Sequence, residues 1–189
     1  MRKTTFSLAM LLAAFAFSAN LNAQDSNADN HNITISVPEV ALVDIEPAAS
    51  KNITLGFTAP TEAGLPVTPT GSDNTLWLNY SSIKSVTDAT RTVSVKLDAL
   101  IPGVNINVTA ATATGAGGGT LGSPSPLLTL SAADQTIISG IGSAYTGDGA
   151  NNGHNLTYAL AAVGGIANYA DLQATTTAVA KVTYTISDN

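Results

Sequence analysis

From residue 32 onward the chain repeats one pattern. Ile33, Ile35 and Val37 are separated by Thr34 and Ser36, so an extended segment here has one apolar side. Val40 to Ile45 is a second run, and the alternation returns at Ile53, Leu55 and Phe57, at Leu76, Leu78 and Tyr80, and at Val93, Val95 and Leu97. It is cleanest at Val104, Ile106 and Val108, where Asn105, Asn107 and Thr109 intervene. Leu156, Tyr158 and Leu160 repeat it, as do Val182, Tyr184 and Ile186. Shorter candidates lie at Leu127 to Leu130 and Thr136 to Ile138. Thr, Val and Ile dominate these runs, which suits a pleated surface with one buried side.

The runs are punctuated by turn formers. Pro38 ends the first, and Thr58 to Gly71 is too rich in Pro and Gly for a regular element. Gly115 to Pro126 (GAGGGTLGSPSP) is expected to be a loop, as is Tyr145 to His154 (YTGDGANNGH). Helical periodicity is almost missing, with only Tyr169 to Ala174 fit for a helical turn. About eight to ten short strands with turn signals between them predict an all-β fold, an immunoglobulin-like antiparallel β-sandwich. A parallel β-helix would need a fixed repeat of roughly 20 to 30 residues, and the chain has none.

The first residues set the expected compartment. Met1, Arg2 and Lys3 give a positive start, Phe6 to Phe17 an apolar run, and SANLNAQ a small, polar exit. That layout is a secretory signal peptide, and its apolar run is too short to span a bilayer. Residues 1–23 are read as the leader, cut after Ala23, with Ser18 or Ala19 as alternative cleavage points. Residues 24–31 follow as a flexible polar segment, and 32–189 as a single β-sandwich domain. A secreted or cell-surface location after periplasmic transit is expected, with no membrane insertion of the mature chain. The chain closes on the regular strand V-T-Y-T-I-S, which leaves attachment to pairing or to a partner.

Composition narrows the chemistry. Without Arg2 and Lys3, five basic residues stand against 13 acidic ones, a net charge of −8. Such a surface repels phosphates, so nucleic acid is excluded as a partner. With no cysteine, the fold has no disulfides, acylated anchor or thiol chemistry, and its core alone must hold it. Two histidines, His31 and His154, are too few for most imidazole-based schemes.

Four features could carry a site. Asp148, Asn151 and His154 lie in an oxygen-rich loop that could contact an ion or a sugar, but one carboxylate in ten residues is a poor basis for Ca²⁺. Trp77 stands opposite in phase to Leu76, Leu78 and Tyr80, facing solvent or a second covered side. With Tyr145 it is the aromatic candidate for a sugar contact, whereas most other tyrosines are in phase with core positions. Glu39, Asp44 and Glu46 could be imagined as a glycosidase pair, but nothing places them facing each other across a bond. No G-x-S-x-G elbow occurs, so no catalytic residue, cofactor or metal is assigned and the chain is read as a non-enzyme. The N-x-S/T sequons at Asn32, Asn52, Asn79, Asn107 and Asn155 are read as products of composition.

The opening I-T-I-S-V-P-E-V-A-L-V-D-I-E-P with I-T-L-G-F at Ile53 to Phe57, and the closing N-Y-A-D-L-Q-A through K-V-T-Y-T-I-S, resemble secreted pilin-type domains of the spore-coat-U and fimbrial kind. A weaker likeness is to WxL domains, although Tyr184 stands where those have Trp. The resemblance covers about a third of the chain and lacks the cysteine pair common in pilin-type domains. It implies a bacterial surface or fimbrial structural and adhesive protein whose subunits join by strand addition, an alternating segment of one filling a sheet edge of the next. Ile33, Ile35 and Val37 would then be the inserting side chains, as against an ordinary edge strand of the chain's own sheet. Its partner would be itself or another surface protein. The alternative is a carbohydrate-binding β-sandwich module with a glycan partner.

Overall fold

The structure is a computed structural model that describes residues 27–161 and 168–189. The expected leader at residues 1–23 lies outside the described residues. The chain divides into two compact units, Met1–Ser36 and Val37–Asn189. In the first, the described residues 27–36 carry no strand, and Ile33 and Ile35 are 74% and 79% exposed.

The second unit is antiparallel β-structure throughout. Its strands are β1 (Val40–Glu46), β2 (Phe57–Thr58), β3 (Thr68–Pro69), β4 (Ser72–Ile83), β5 (Arg91–Leu97), β6 (Asn105–Ala110), β7 (Gly118–Pro124), β8 (Leu128–Thr129), β9 (Gln135–Tyr145), β10 (His154–Ala161) and β11 (Val182–Asp188). Among its described residues, two short 3₁₀ turns, Ala48–Ser50 and Tyr169–Asp171, are the helical content, the second where a helical turn was expected.

The registers show how the strands line up. β1 and β10 both pair with Trp77 and Leu78, so they hold opposite edges of β4. β5 and β7 both pair with Ile138 and Ile141, so they hold opposite edges of β9. β4 runs on into β5 alongside β9 and β10: Leu78 faces His154, Ser82 faces Ala144, and Arg91 faces Ile141. Four lanes result, each of two strands end to end: β11 with β1, β4 with β5, β9 with β10, and β6 with β7. The strands β1, β4, β10, β6 and β8 form one half, and β11, β5, β9 and β7 the other. This is the β-sandwich expected from the period-two pattern. Leu78, Val108 and Leu156 of one half and Val93, Val95, Ile138 and Ile141 of the other are fully buried in a common core. Burial of each such side chain contributes about 1.5–3 kcal/mol.

Several expectations fail locally: the alternation at Ile53, Leu55 and Phe57 gives strand only at Phe57–Thr58, which pairs with Thr68–Pro69 inside the stretch expected to hold no regular element. The segment Asn32–Val37 forms no strand, although β1 begins three residues later. Gly115 to Pro126 is not a loop throughout, because Gly118–Pro124 forms β7 against β9. The glycines make the pairing possible: Gly119 and Gly122 have φ of 86° and 74°, and a Cβ there would overlap Ser143 O or press within 2.5 Å of Ser139 O. Glycine content marks a close approach here, not a break.

Each lane passes from one strand to the next at a junction. Residues 84–90 leave the β4–β5 lane, and 147–152 leave the β9–β10 lane. The β11–β1 lane has no chain connection at its junction. There Arg91, 1% exposed, joins the strand ends: Nη1 donates to Val40 O and, at 3.1 Å, to Ile83 O; Nε donates to Asp188 at 2.5 Å; Nη2 pairs with Glu39. Replacing Arg91 with Leu leaves two strand-end carbonyls without their donor and two half-exposed carboxylates without their counter-ion. We expect a loss on the order of 3 kcal/mol, read as a lower urea midpoint with an unchanged m-value; a loss under about 1 kcal/mol would show the junction to be incidental.

Candidate functional site

The loop after β9 takes its shape from one residue. Thr146 N donates to Tyr80 O at 3.1 Å and His154 returns opposite Leu78, so residues 147–152 form an excursion from a lane that continues on both sides. Asn152 ties it down: its Oδ1 accepts from Ala116 N at 2.9 Å and its Nδ2 donates to Asp148 O at 2.7 Å. Asn79 Nδ2 reaches up from β4 to Asn152 O at 2.7 Å. Asn151 has a φ of 69°, the left-handed conformation Asn tolerates. Asp148 and Asn151 are exposed at the surface of this excursion.

His154 is not at that surface. It is fully buried, in phase with Leu156 and Tyr158, and its assignment as a ligand contact is corrected. Nδ1 donates to Ala111 O at 2.8 Å, and the Tyr80 hydroxyl, which gives its one proton to Leu121 O, has its oxygen 3.0 Å from Nε2. The two rings stack with centroids 5.7 Å apart. This group links β4, β10, the end of β6 and the middle of β7, on the side of the sandwich opposite Arg91. Burial pushes the His154 pKa below its usual range and the Tyr80 pKa above its own.

The aromatic candidates do not converge. Trp77 is half-buried on β4, opposite Glu46 and Asn155 in register, while Tyr145 is 56% exposed opposite Ser81. Four residues of strand, about 13 Å, separate those two positions. Tyr158 and Tyr184 meet inside the sandwich, hydroxyl to hydroxyl at 2.6 Å. Burial raises the pKa of both, that of Tyr158 to about 12.

Three acids do converge. Carboxylate oxygens of Glu39, Asp88 and Asp188 lie within 4.8 Å of one another. Arg91 bonds two of them directly, so a guanidinium already balances the cluster. The set is a socket for Arg91. Sequence reasoning missed it, yet a signal existed: Arg91 stands in the inward phase of Val93, Val95 and Leu97, where a charge must find partners.

Val37 is 69% exposed and, with Glu39, Ile83, Lys84, Ser85 and Val86, lines a hollow at this same corner. Ile33, Ile35 and Val37 are thus all strongly exposed, in a segment without strand pairing. Comparison of the chain with family models, curated proteins and solved structures finds no match in any of them. Among the described residues no helix is long and apolar enough to cross a membrane.

The buried imidazole has a consequence for stability. The unfolded chain binds a proton on His154 near pH 6.5, while the folded ring resists it to lower pH. The stabilisation is therefore complete above pH 6.5 and is lost as pH falls toward the depressed folded value. The slope reaches at most about 1.4 kcal/mol per pH unit. Urea midpoints measured between pH 7.5 and 5.5 should decline for the parent chain and stay nearly flat for His154→Asn; parallel declines would exclude His154 as the cause.

Proposed function

We propose that this chain is a secreted, non-enzymatic structural or adhesive protein of the bacterial surface that associates with copies of itself by strand addition. The observation that carries the proposal is the segment Asn32–Val37. Three aliphatic side chains at alternate positions stand 69–79% exposed on a stretch outside any strand. Alternating apolar residues in water are the composition of a strand that lacks its sheet, and such a segment gains its burial by adding to another chain.

The non-enzymatic role draws on the distribution of reactive groups. Among the described residues two of the three converging acids are bound to Arg91, and the buried imidazole is enclosed by Tyr80 and main-chain carbonyls. The location at the surface rests on the N-terminal leader pattern. The carbohydrate-binding alternative gains nothing from the arrangement, since Trp77 and Tyr145 are separate and His154 is sealed in the core.

Light scattering across a concentration series of the full chain should show a mass that rises with concentration. A double variant, Ile33→Lys with Ile35→Lys, should stay monomeric at every concentration while keeping the parent's far-ultraviolet spectrum. A parent chain that remains monomeric throughout would refute self-association.

A further inference from the structure

The segment that lacks a sheet is a positional copy of one that has one. β11 lies against β5 with Val182 opposite Leu97, Tyr184 opposite Val95, Ile186 opposite Val93 and Asp188 opposite Arg91. Laid on that register, I-T-I-S-V-P-E (33–39) reproduces V-T-Y-T-I-S-D (182–188) in character at six of seven positions. Ile33, Ile35 and Val37 fall on Val182, Tyr184 and Ile186; Thr34 and Ser36 fall on Thr183 and Thr185. Glu39 falls on Asp188. Both acids already bond Arg91, so the socket accepts either carboxylate.

We propose that the half-lane beside β5 is the acceptor for strand addition, and that Ile33–Glu39 of a second copy takes it by displacing β11. This rests on the self-association proposed above and adds its acceptor, register and competitor. The incoming strand runs in the same direction as β11, antiparallel to β5, and places three aliphatic side chains over Val93, Val95 and Leu97. Its acid enters the Arg91 socket beside the acceptor's own Glu39.

The match also shows why β11 holds the lane in the isolated chain. Ile35 has no hydroxyl to meet Tyr158, so the 2.6 Å bond from Tyr184 is given up. Pro38 falls on Ser187 and has no N–H. Asn189 N donates to Thr90 O, and a strand's N–H groups alternate in direction, so Ser187 N–H points toward β5. The exchanged state loses that bond too. β11 is moreover tethered to its lane, so exchange is favoured by high concentration.

The chain has no cysteine, so engineered pairs report cleanly. Thr183 faces Lys96 across β11 and β5, and Thr34 takes the place of Thr183 in the proposed register. The full chain carrying Thr34→Cys with Lys96→Cys, oxidised at a concentration where the parent associates, should give a disulfide-linked ladder on a non-reducing gel. The off-register pair Thr34→Cys with Ser94→Cys should give none. Thr183→Cys with Lys96→Cys should lock β11 and abolish association, with parent behaviour restored by reductant. If the parent associates while the first pair forms no ladder and the lock has no effect, the acceptor is wrong and self-association stands. An internal Thr34–Lys96 disulfide in monomers would overturn the second-copy assignment. A parent chain that never associates overturns both proposals.

Discussion

A guanidinium removed from water must be met on every side, and at Arg91 the chain meets it with the ends of three strands. Val40 O, Ile83 O, Glu39 and Asp188 come from positions up to about 150 residues apart in sequence, yet each bonds the same side chain. The reason is topological. Three of the four lanes keep their two halves together by covalent connection, while the β11–β1 lane has only a point where one strand ends and another begins. A polar side chain buried there costs solvation, and that cost is offset only when the strand ends are in place. Arg91 therefore makes closure of the sandwich conditional on correct placement of both outer strands.

The opposite side is closed by different chemistry. His154 and Tyr80 join the end of β6 to the middle of β7 through the Ala111 and Leu121 carbonyls. One flank is pinned by charge and the other by two stacked rings bonded to main-chain carbonyls. The imidazole flank weakens in mild acid, because burial holds the His154 pKa below its usual range. A chain with no disulfide thus holds both edges of its sandwich with buried polar contacts between strands distant in sequence.

Period-two burial was legible along most of the chain, because one core selects one face of each strand. The alternations at Leu76 to Tyr80, Val93 to Leu97, Val104 to Val108, Leu156 to Leu160 and Val182 to Ile186 all became strands. β7 was hidden by its glycines. They look like a break to any reading of propensity, but their role is to let a backbone approach Ser139 and Ser143 more closely than a side chain allows. The polar junctions were half legible. Arg91 and His154 each stand in the inward phase of an apolar strand, and phase alone places them inside. What phase cannot give is the partner, since Glu39 and Asp188 are brought to Arg91 by strand order and not by spacing. Asn152 likewise has no mark in a loop with several Asn and Gly; only its three contacts single it out.

The same pattern explains why Asn32–Val37 carries a good strand sequence and no strand. A segment forms a strand when a lane is vacant, and the lane continuing backwards from β1 is occupied by β11. The two sequences are close in apolar content, so burial by itself decides little between them. Two polar details tip the balance, the Tyr184 hydroxyl and the Ser187 N–H, each worth roughly 1 kcal/mol when satisfied. In the proposed exchange, that small margin and the tether that holds β11 near its lane are what an incoming strand has to overcome. Sequence propensity specifies how many strands the chain can make, and the number of lanes beside the core specifies how many it keeps.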